Sequence, residues 1–220
     1  MKNGYLGVLL IISVVSIVAC QKNSAGFDQG GKTSLWPVKT GNTWIYKDSV
    51  FNDSVVTNVY LDTTTINSQY VVAGNGQVLF GINDPNGWFQ TGGYVGVDPY
   101  NSTVYEIDSA SNSPYIFFGT ASQDGDLIGT GSDYTNPACP IQFNQYGFVT
   151  TYPVAGYTCL ANIQYTTNCN NANTEMVILY VSPGVGVVRI EDYLTDSTNV
   201  AVGAKLHLGY SQTLQSSKLN

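Results

Sequence analysis

The sequence predicts an all-β fold, a single antiparallel domain shaped as a barrel, half-barrel or sandwich. Three observations carry that expectation. Helix formers are sparse, and Glu106, Glu175 and Glu191 are the only glutamates. Strand and turn formers are abundant, with 16 Tyr and 23 Gly. Beyond the first twenty residues no segment keeps a 3.6-residue apolar period, whereas short β-branched and aromatic runs recur between turn signals.

Strands are predicted near 43–50, 55–61, 66–73, 77–82, 87–89, 103–107 and 115–119, then 141–152, 157–165, 176–181, 185–194 and 204–210. Asn75-Gly76 between two runs marks a hairpin, because both central residues of a type I′ turn need positive φ. Ser182-Pro183-Gly184-Val185-Gly186 marks a type II turn that folds 176–181 back on the following run, with Pro183 setting φ and Gly184 accepting positive φ. In the last run Leu206 and Leu208 alternate with Lys205, His207 and Gly209, as a half-buried strand does. Residues 84–99 and 122–140 are rich in Gly, Asp, Asn and Pro and read as long loops.

Residues 1–19 read as a signal peptide. Lys2 supplies the positive start, and Tyr5 to Val18 form an uncharged apolar run. A membrane span needs about 20 apolar residues, and this run stops short at Ile17-Val18-Ala19-Cys20. Those four residues resemble the lipobox of bacterial lipoproteins, with Ile17 where Leu is commonest and Val18 where Ala or Ser is usual. The resemblance implies cleavage before Cys20 and a diacylglycerol on its thiol. Residues 20–34, rich in Gly, Ser, Asn and Lys, bury too little to order themselves and read as a lipidated flexible tether. The β domain is expected over 35–215, with a tail at 216–220.

After cleavage, Lys22, Lys32, Lys39, Lys47, Arg189, Lys205 and Lys218 stand against 15 acidic residues, and no cation lies between Asp48 and Val188. So acidic a chain lacks the electrostatic footprint of a nucleic-acid binder. Its partners are expected to be a membrane, through the lipid anchor, and a glycan or another envelope protein.

Both ends of the domain carry a further resemblance. Trp36-Pro37-Val38-Lys39-Thr40-Gly41-Asn42-Thr43-Trp44-Ile45-Tyr46 is similar to the opening of many small Bacteroidetes lipoproteins, and Tyr180-Val181-Ser182-Pro183-Gly184-Val185-Gly186-Val187-Val188 to their closing element. The resemblance implies a β-rich envelope lipoprotein and brings over no catalytic residue. From the residues themselves, Trp44 and Tyr46 share one strand face and are expected to fill a core. A second resemblance concerns Asp-Ser/Thr pairs of the kind Bacteroidetes use for O-glycosylation, which makes Ser49, Ser54, Thr63, Ser109 and Ser197 candidate acceptors. The same pairs are also ordinary turn and strand-edge residues.

With Cys20 lipidated, Cys139, Cys159 and Cys169 allow one internal disulfide in an oxidising compartment. A hairpin centred on Val154 sets Cys139 opposite Cys169 and leaves Cys159 a buried thiol. Cys159–Cys169 is the second pairing that the spacing allows. His207 is the sole histidine, so a two-histidine metal site is excluded, and no Gly-x-Ser-x-Gly elbow, phosphate loop or dinucleotide fingerprint occurs. Asp124-Gly125-Asp126 has calcium-like spacing but lacks the further acids of an EF-hand, and reads as a turn. No catalytic residue, metal ligand or cofactor is assigned.

Trp88, Phe89, Tyr94 and Tyr100 form the candidate glycan-binding platform, where flat rings could stack on sugar faces. The functional expectation is a non-enzymatic binding or assembly role in a membrane-anchored envelope lipoprotein. The alternatives are a glycan-binding module, a carrier of a hydrophobic ligand and a hydrolase using His207. Gln21 after the cysteine is not a retention Asp, so the outer membrane is expected, and the tether lacks an acidic run for surface display, which points to the periplasmic face.

Overall fold

The computed structural model describes residues 35–71, 78–85, 93–98, 103–107, 114–133, 138–170, 172–195 and 205–220. Their regular elements are all strands: β1 (Thr43–Asn52), β2 (Val55–Val71), β3 (Val78–Asn83), β4 (Tyr94–Asp98), β5 (Thr103–Ile107), β6 (Pro114–Phe118), β7 (Asp126–Asp133), β8 (Ile141–Gly147), β9 (Tyr152–Val154), β10 (Tyr157–Thr167), β11 (Asn173–Ser182), β12 (Gly186–Leu194) and β13 (His207–Lys218).

The strands join in one sheet of order β6-β5-β4-β3-β2-β1-β13-β12-β11-β10-β8-β7, with β9 paired to β10 alone. The first six strands form one meander and the later ones a second, and antiparallel pairing of β1 with β13 joins the two at the centre. Register shifts in β1, β2, β10, β11 and β12 add the local twist that curls the sheet. The sheet's ends, β6 and β7, come together without pairing, which leaves a nearly closed barrel. Buried amides bridge that seam. Asn162 accepts from Gly119 N–H at 2.9 Å and donates to Gly119 O at 3.0 Å, and Gln145 donates to Phe117 O at 2.9 Å. Backbone groups that no neighbouring strand covers are thereby satisfied.

Tight turns follow the local chemistry. Asp53 and Ser54 between β1 and β2, and Ala155 and Gly156 between β9 and β10, all take positive φ, as two-residue I′ hairpins require. Gly184 has φ 77° and Val185 N–H donates to Ser182 O at 3.0 Å, which is the turn expected there.

The all-β, single-domain expectation holds, and several boundaries shift. The expected strands at 55–61 and 66–73 join, as far as Val71, in one long strand, β2, because Asp62-Thr63-Thr64-Thr65 pairs straight across to Thr43–Tyr46 and β-branched Thr suits a strand. The expected loop at 84–99 contains β4. The expected loop at 122–140 contains β7, whose Gly129 lets Ile116 approach where a β-carbon would stand 3.3 Å from it. The run at 141–152 breaks into β8 and β9. Residues 216–218 are not tail but part of β13, paired to Thr43–Ile45. Asn75-Gly76 and the run at 87–89 lie outside the described residues, as do the signal peptide, Cys20 and the tether.

Candidate functional site

The concave side of the sheet changes chemistry along the strands. On β1, Trp44, Tyr46 and Asp48 face inward while Ile45 and Lys47 face out. At one pole Trp36 packs against Trp44, with ring centroids 5.6 Å apart, and against Phe117 at 5.7 Å. Trp44 Nε1 donates to Val185 O at 2.7 Å and Tyr46 Oη donates to Val187 O at 3.0 Å. The tryptophan-rich opening and the Pro-Gly-Val-Gly closing element are thus one packed unit. Asn42 completes it, donating to Pro37 O and accepting from Asn220 N–H at 2.8 Å. Trp44 and Tyr46 therefore serve the core, as expected, and Trp36 joins them there.

Toward the other pole the interior turns acidic. Asp48 is wholly buried, register-paired to Tyr60 on one side and to buried Gln212 on the other, and Asp62 and Asp192 are buried as well. Neither carboxylate oxygen of Asp48 has a hydrogen bond of ordinary geometry. Tyr210 and Gln212 lie close enough only to favour its charged form. Burial first and Asp62 second push the Asp48 carboxyl up to about 6. Burial first and Glu175 second push Asp192 up to about 7. The Tyr210 phenol is driven far above its usual range by burial and by Asp48. Asp84 accepts a bond from Thr64 Oγ1 at 2.7 Å. Among the described residues no three His, Cys, Asp or Glu side chains are grouped to hold a metal ion.

Clefts open on the surface of the described residues, two of them bearing on function. One of about 490 Å³ lies at the seam and is lined by Tyr105, Ile116, Gly119, Thr120, Ser122 and Ile128 among others. The other, of about 280 Å³, lies on the outer face and is lined by Asn144, Tyr146, Tyr165, Thr167 and Asn173.

Chain comparison adds the fold and nothing finer. No family model matches, and no curated protein matches. Among solved structures, a protein described as exported and having a YmcC-like fold, from Bacteroides fragilis, shares 13% identity over 83% of this chain and 98% of its own, with TM-score 0.49. A protein described as a lipoprotein, from Parabacteroides distasonis, shares 14% identity over 84% of this chain and 99% of its own, with TM-score 0.50. The second likeness supports the curved all-β sheet.

The residues singled out from the sequence are scattered. Cys139 and Cys169 are bonded, with Cα atoms 4.8 Å apart. Cys159 is a buried free thiol that burial pushes up to about 11, far from the reactive range. Tyr94 is half-buried on β4, while Trp88, Phe89 and Tyr100, the rest of the expected platform, lie outside the described residues. Of the candidate glycosylation positions, Ser49 is half-buried, Ser54 and Thr63 are exposed, and Ser109 and Ser197 lie outside the described residues. His207 is half-buried and opens β13 opposite Leu194.

The Asp124 and Asp126 carboxylates act as loop fasteners. Asp124 accepts first from the Thr150 hydroxyl, at Oδ2, and then from Thr150 and Val149 N–H, at Oδ1, while Asp126 Oδ2 accepts from Gln123 and Ser122 N–H. These bonds hold both below the usual carboxylate range. Sequence reasoning missed the Tyr146/Tyr165 cleft and the buried acids; a period-2 reading turns the Asp48 side chain inward, whereas no local signal sets Asn144 beside Tyr165. Asn144 with Tyr146, and Tyr165 with Thr167, share strand faces. Asp48 continues the inward series that Trp44 and Tyr46 begin.

Proposed function

We propose that the chain is an exported lipoprotein held in the cell envelope through Cys20, whose β domain acts by binding or by assembly and not by catalysis. The observation that carries this reading is the Cys139–Cys169 disulfide on a chain whose opening residues read as a lipoprotein signal. Such bonds persist in oxidising compartments. The Parabacteroides neighbour is described as a lipoprotein, but its likeness concerns fold alone, and the address of this chain rests on its own residues.

Binding is preferred to catalysis because the seam cleft is lined by hydroxyls, a tyrosine ring and aliphatic side chains and the outer cleft by amides, a hydroxyl and tyrosine rings, and because the one free thiol among the described residues is buried. A carrier role is disfavoured, since Trp36, Trp44, Tyr46, Phe117 and Phe118 fill the concavity that a hydrophobic ligand would need. The finer address, an outer membrane with the domain on the periplasmic face, follows from Gln21 and from the tether lacking an acidic run.

Mass spectrometry of the native protein tests the anchor. An N-terminal residue 20 carrying acyl chains is expected, and an intact residue 1 or a bare Cys20 thiol would refute it. Protease treatment of intact cells tests the face, with full protection expected. For the non-catalytic reading, an activity lost on His207→Ala would be contrary evidence.

A further inference from the structure

On the outer face of the second meander, Tyr165 of β10 stands in register with Asn144 of β8 and two positions from Thr167. Tyr146 reaches it from β8, with ring centroids 6.0 Å apart and planes at 71°, so one ring's face meets the other's edge and leaves an open corner instead of a stack. Asn173 of β11 completes the cleft of about 280 Å³. We propose that this corner binds a neutral saccharide residue. The proposal rests on the binding reading above and names its ligand class.

The chemistry of the lining selects that class. A pyranose ring presents an apolar C–H face and a rim of hydroxyls, each able to donate and to accept. A tyrosine ring suits the first, since its negative face attracts polarised C–H groups. Two carboxamides, a threonine hydroxyl and two phenols suit the second, since each of these groups also donates and accepts. No lining residue is charged, so neither an anion nor a cation is drawn in. None is aliphatic, so an acyl chain would find little to bury against. The cleft lies on a sheet face and not along a free edge, so an extended peptide could not add as a strand. Its volume falls just below the range typical of clefts for drug-sized ligands, about 300 Å³ upward, which fits one or two sugar rings.

The corner is also held ready. The β10–β11 register shifts between Thr166 and Thr167, at the point where the cleft is built, and such irregularities re-aim side chains. Thr167 Oγ1 donates to Asn173 Oδ1 at 3.3 Å, which ties the two lining side chains together. Cys169 ties the turn that follows Thr167 to Cys139 ahead of β8. Asn168 Oδ1 accepts from Asn170 N–H at 3.0 Å and from Ala172 N–H at 3.1 Å. Little ordering cost is left for binding.

The test uses the full chain in detergent, run through native gels containing dextran, mannan, galactan, xylan or mixed-linkage β-glucan, with a heparin gel as the anionic comparison. Retardation in at least one gel is expected, weakened about tenfold or more by Tyr165→Ala and by Asn144→Ala. Tyr165→Phe keeps the ring and should keep most of the binding. Tyr152→Ala, whose ring pairs instead with Tyr180, should leave it unchanged. Thermal melts check each variant, and if Tyr165→Ala is misfolded the outcome is read from Asn144→Ala. Migration unaffected in every gel, retardation that survives both alanine variants, or retardation only by an anionic polysaccharide such as heparin overturns the proposal. Lipidation is read separately, so a bare Cys20 would end the envelope reading while leaving this result standing.

Discussion

Gly186 lies against the indole of Trp36, with φ 100°, and a β-carbon there would stand 2.1 Å from Cδ1 of that ring. Two separate demands meet at this residue: a backbone conformation that costs other L-residues about 1–2 kcal/mol, and a close approach that no side chain permits.

Gly186→Ala should therefore lower stability by about 3 kcal/mol, a fall in Tm of roughly 6–12 °C for a domain of this size. Gly156→Ala is the control. It has φ 86° but nothing within 4 Å of the added carbon, so only the backbone cost of about 1 kcal/mol applies. Equal melting shifts in the two variants would show that the Trp36 contact contributes nothing.

The buried acids give stability a pH dependence of unusual sign. Asp48 titrates at about 6 and Asp192 at about 7 in the fold, against about 3.9 in the unfolded chain. Between those values the folded state binds more protons, so stability falls as pH rises from about 4 to about 7, and is level above that. Asp124 and Asp126, held low, act oppositely: their contribution is present above pH about 4 and is lost on further acidification. The urea midpoint should accordingly be higher at pH 5 than at pH 8, by on the order of 2 kcal/mol in free energy. Asp48→Asn and Asp192→Asn mimic the protonated groups, so they should stabilise at pH 8 and flatten the profile. A wild-type midpoint constant from pH 5 to pH 8 would contradict this account of the interior.

The disulfide closes a loop with sequence separation 30. Cys139→Ser with Cys169→Ser should cost about 3–4 kcal/mol by the chain-entropy estimate, measured by chemical denaturation. In the native protein Cys159 should resist iodoacetamide at pH 8 and react only after unfolding, because its thiol is buried and its pKa raised.

Asn162 latches the seam. Replacing it with Ala strands the Gly119 N–H and carbonyl and removes a partner of Gln145, so a loss of about 2–3 kcal/mol is expected. Hydrogen exchange at the Gly119 amide should quicken by more than that of β1, whose ladder is independent of the seam. Uniform quickening across the sheet would instead indicate a global loss.

The fold class was legible because alternation and turn residues are local properties. The Ser182–Gly186 turn and the Cys139–Cys169 pairing could both be read from spacing. What escaped depends on contacts distant in sequence. β7 reads as a loop because Gly129 and Gly131 carry no strand signal, yet Gly129 is what Ile116 packs on. The end of β13 reads as a tail because Gln215-Ser216-Ser217-Lys218 is polar, yet Ser216, Ser217 and Lys218 complete the β1 ladder. The cleft escaped because no residue in it is rare or charged. Only the sheet brings Asn144 beside Tyr165.

The placement of β1 has a mechanical consequence. Leu35 to Asn42 lead directly into a strand paired along both flanks, and Trp36 and Val38 are sunk in the core beside it. Tension arriving at Leu35 would have to drag two ladders lengthwise at once and could not peel one edge bond by bond, so a domain pulled from that side should give way late and abruptly.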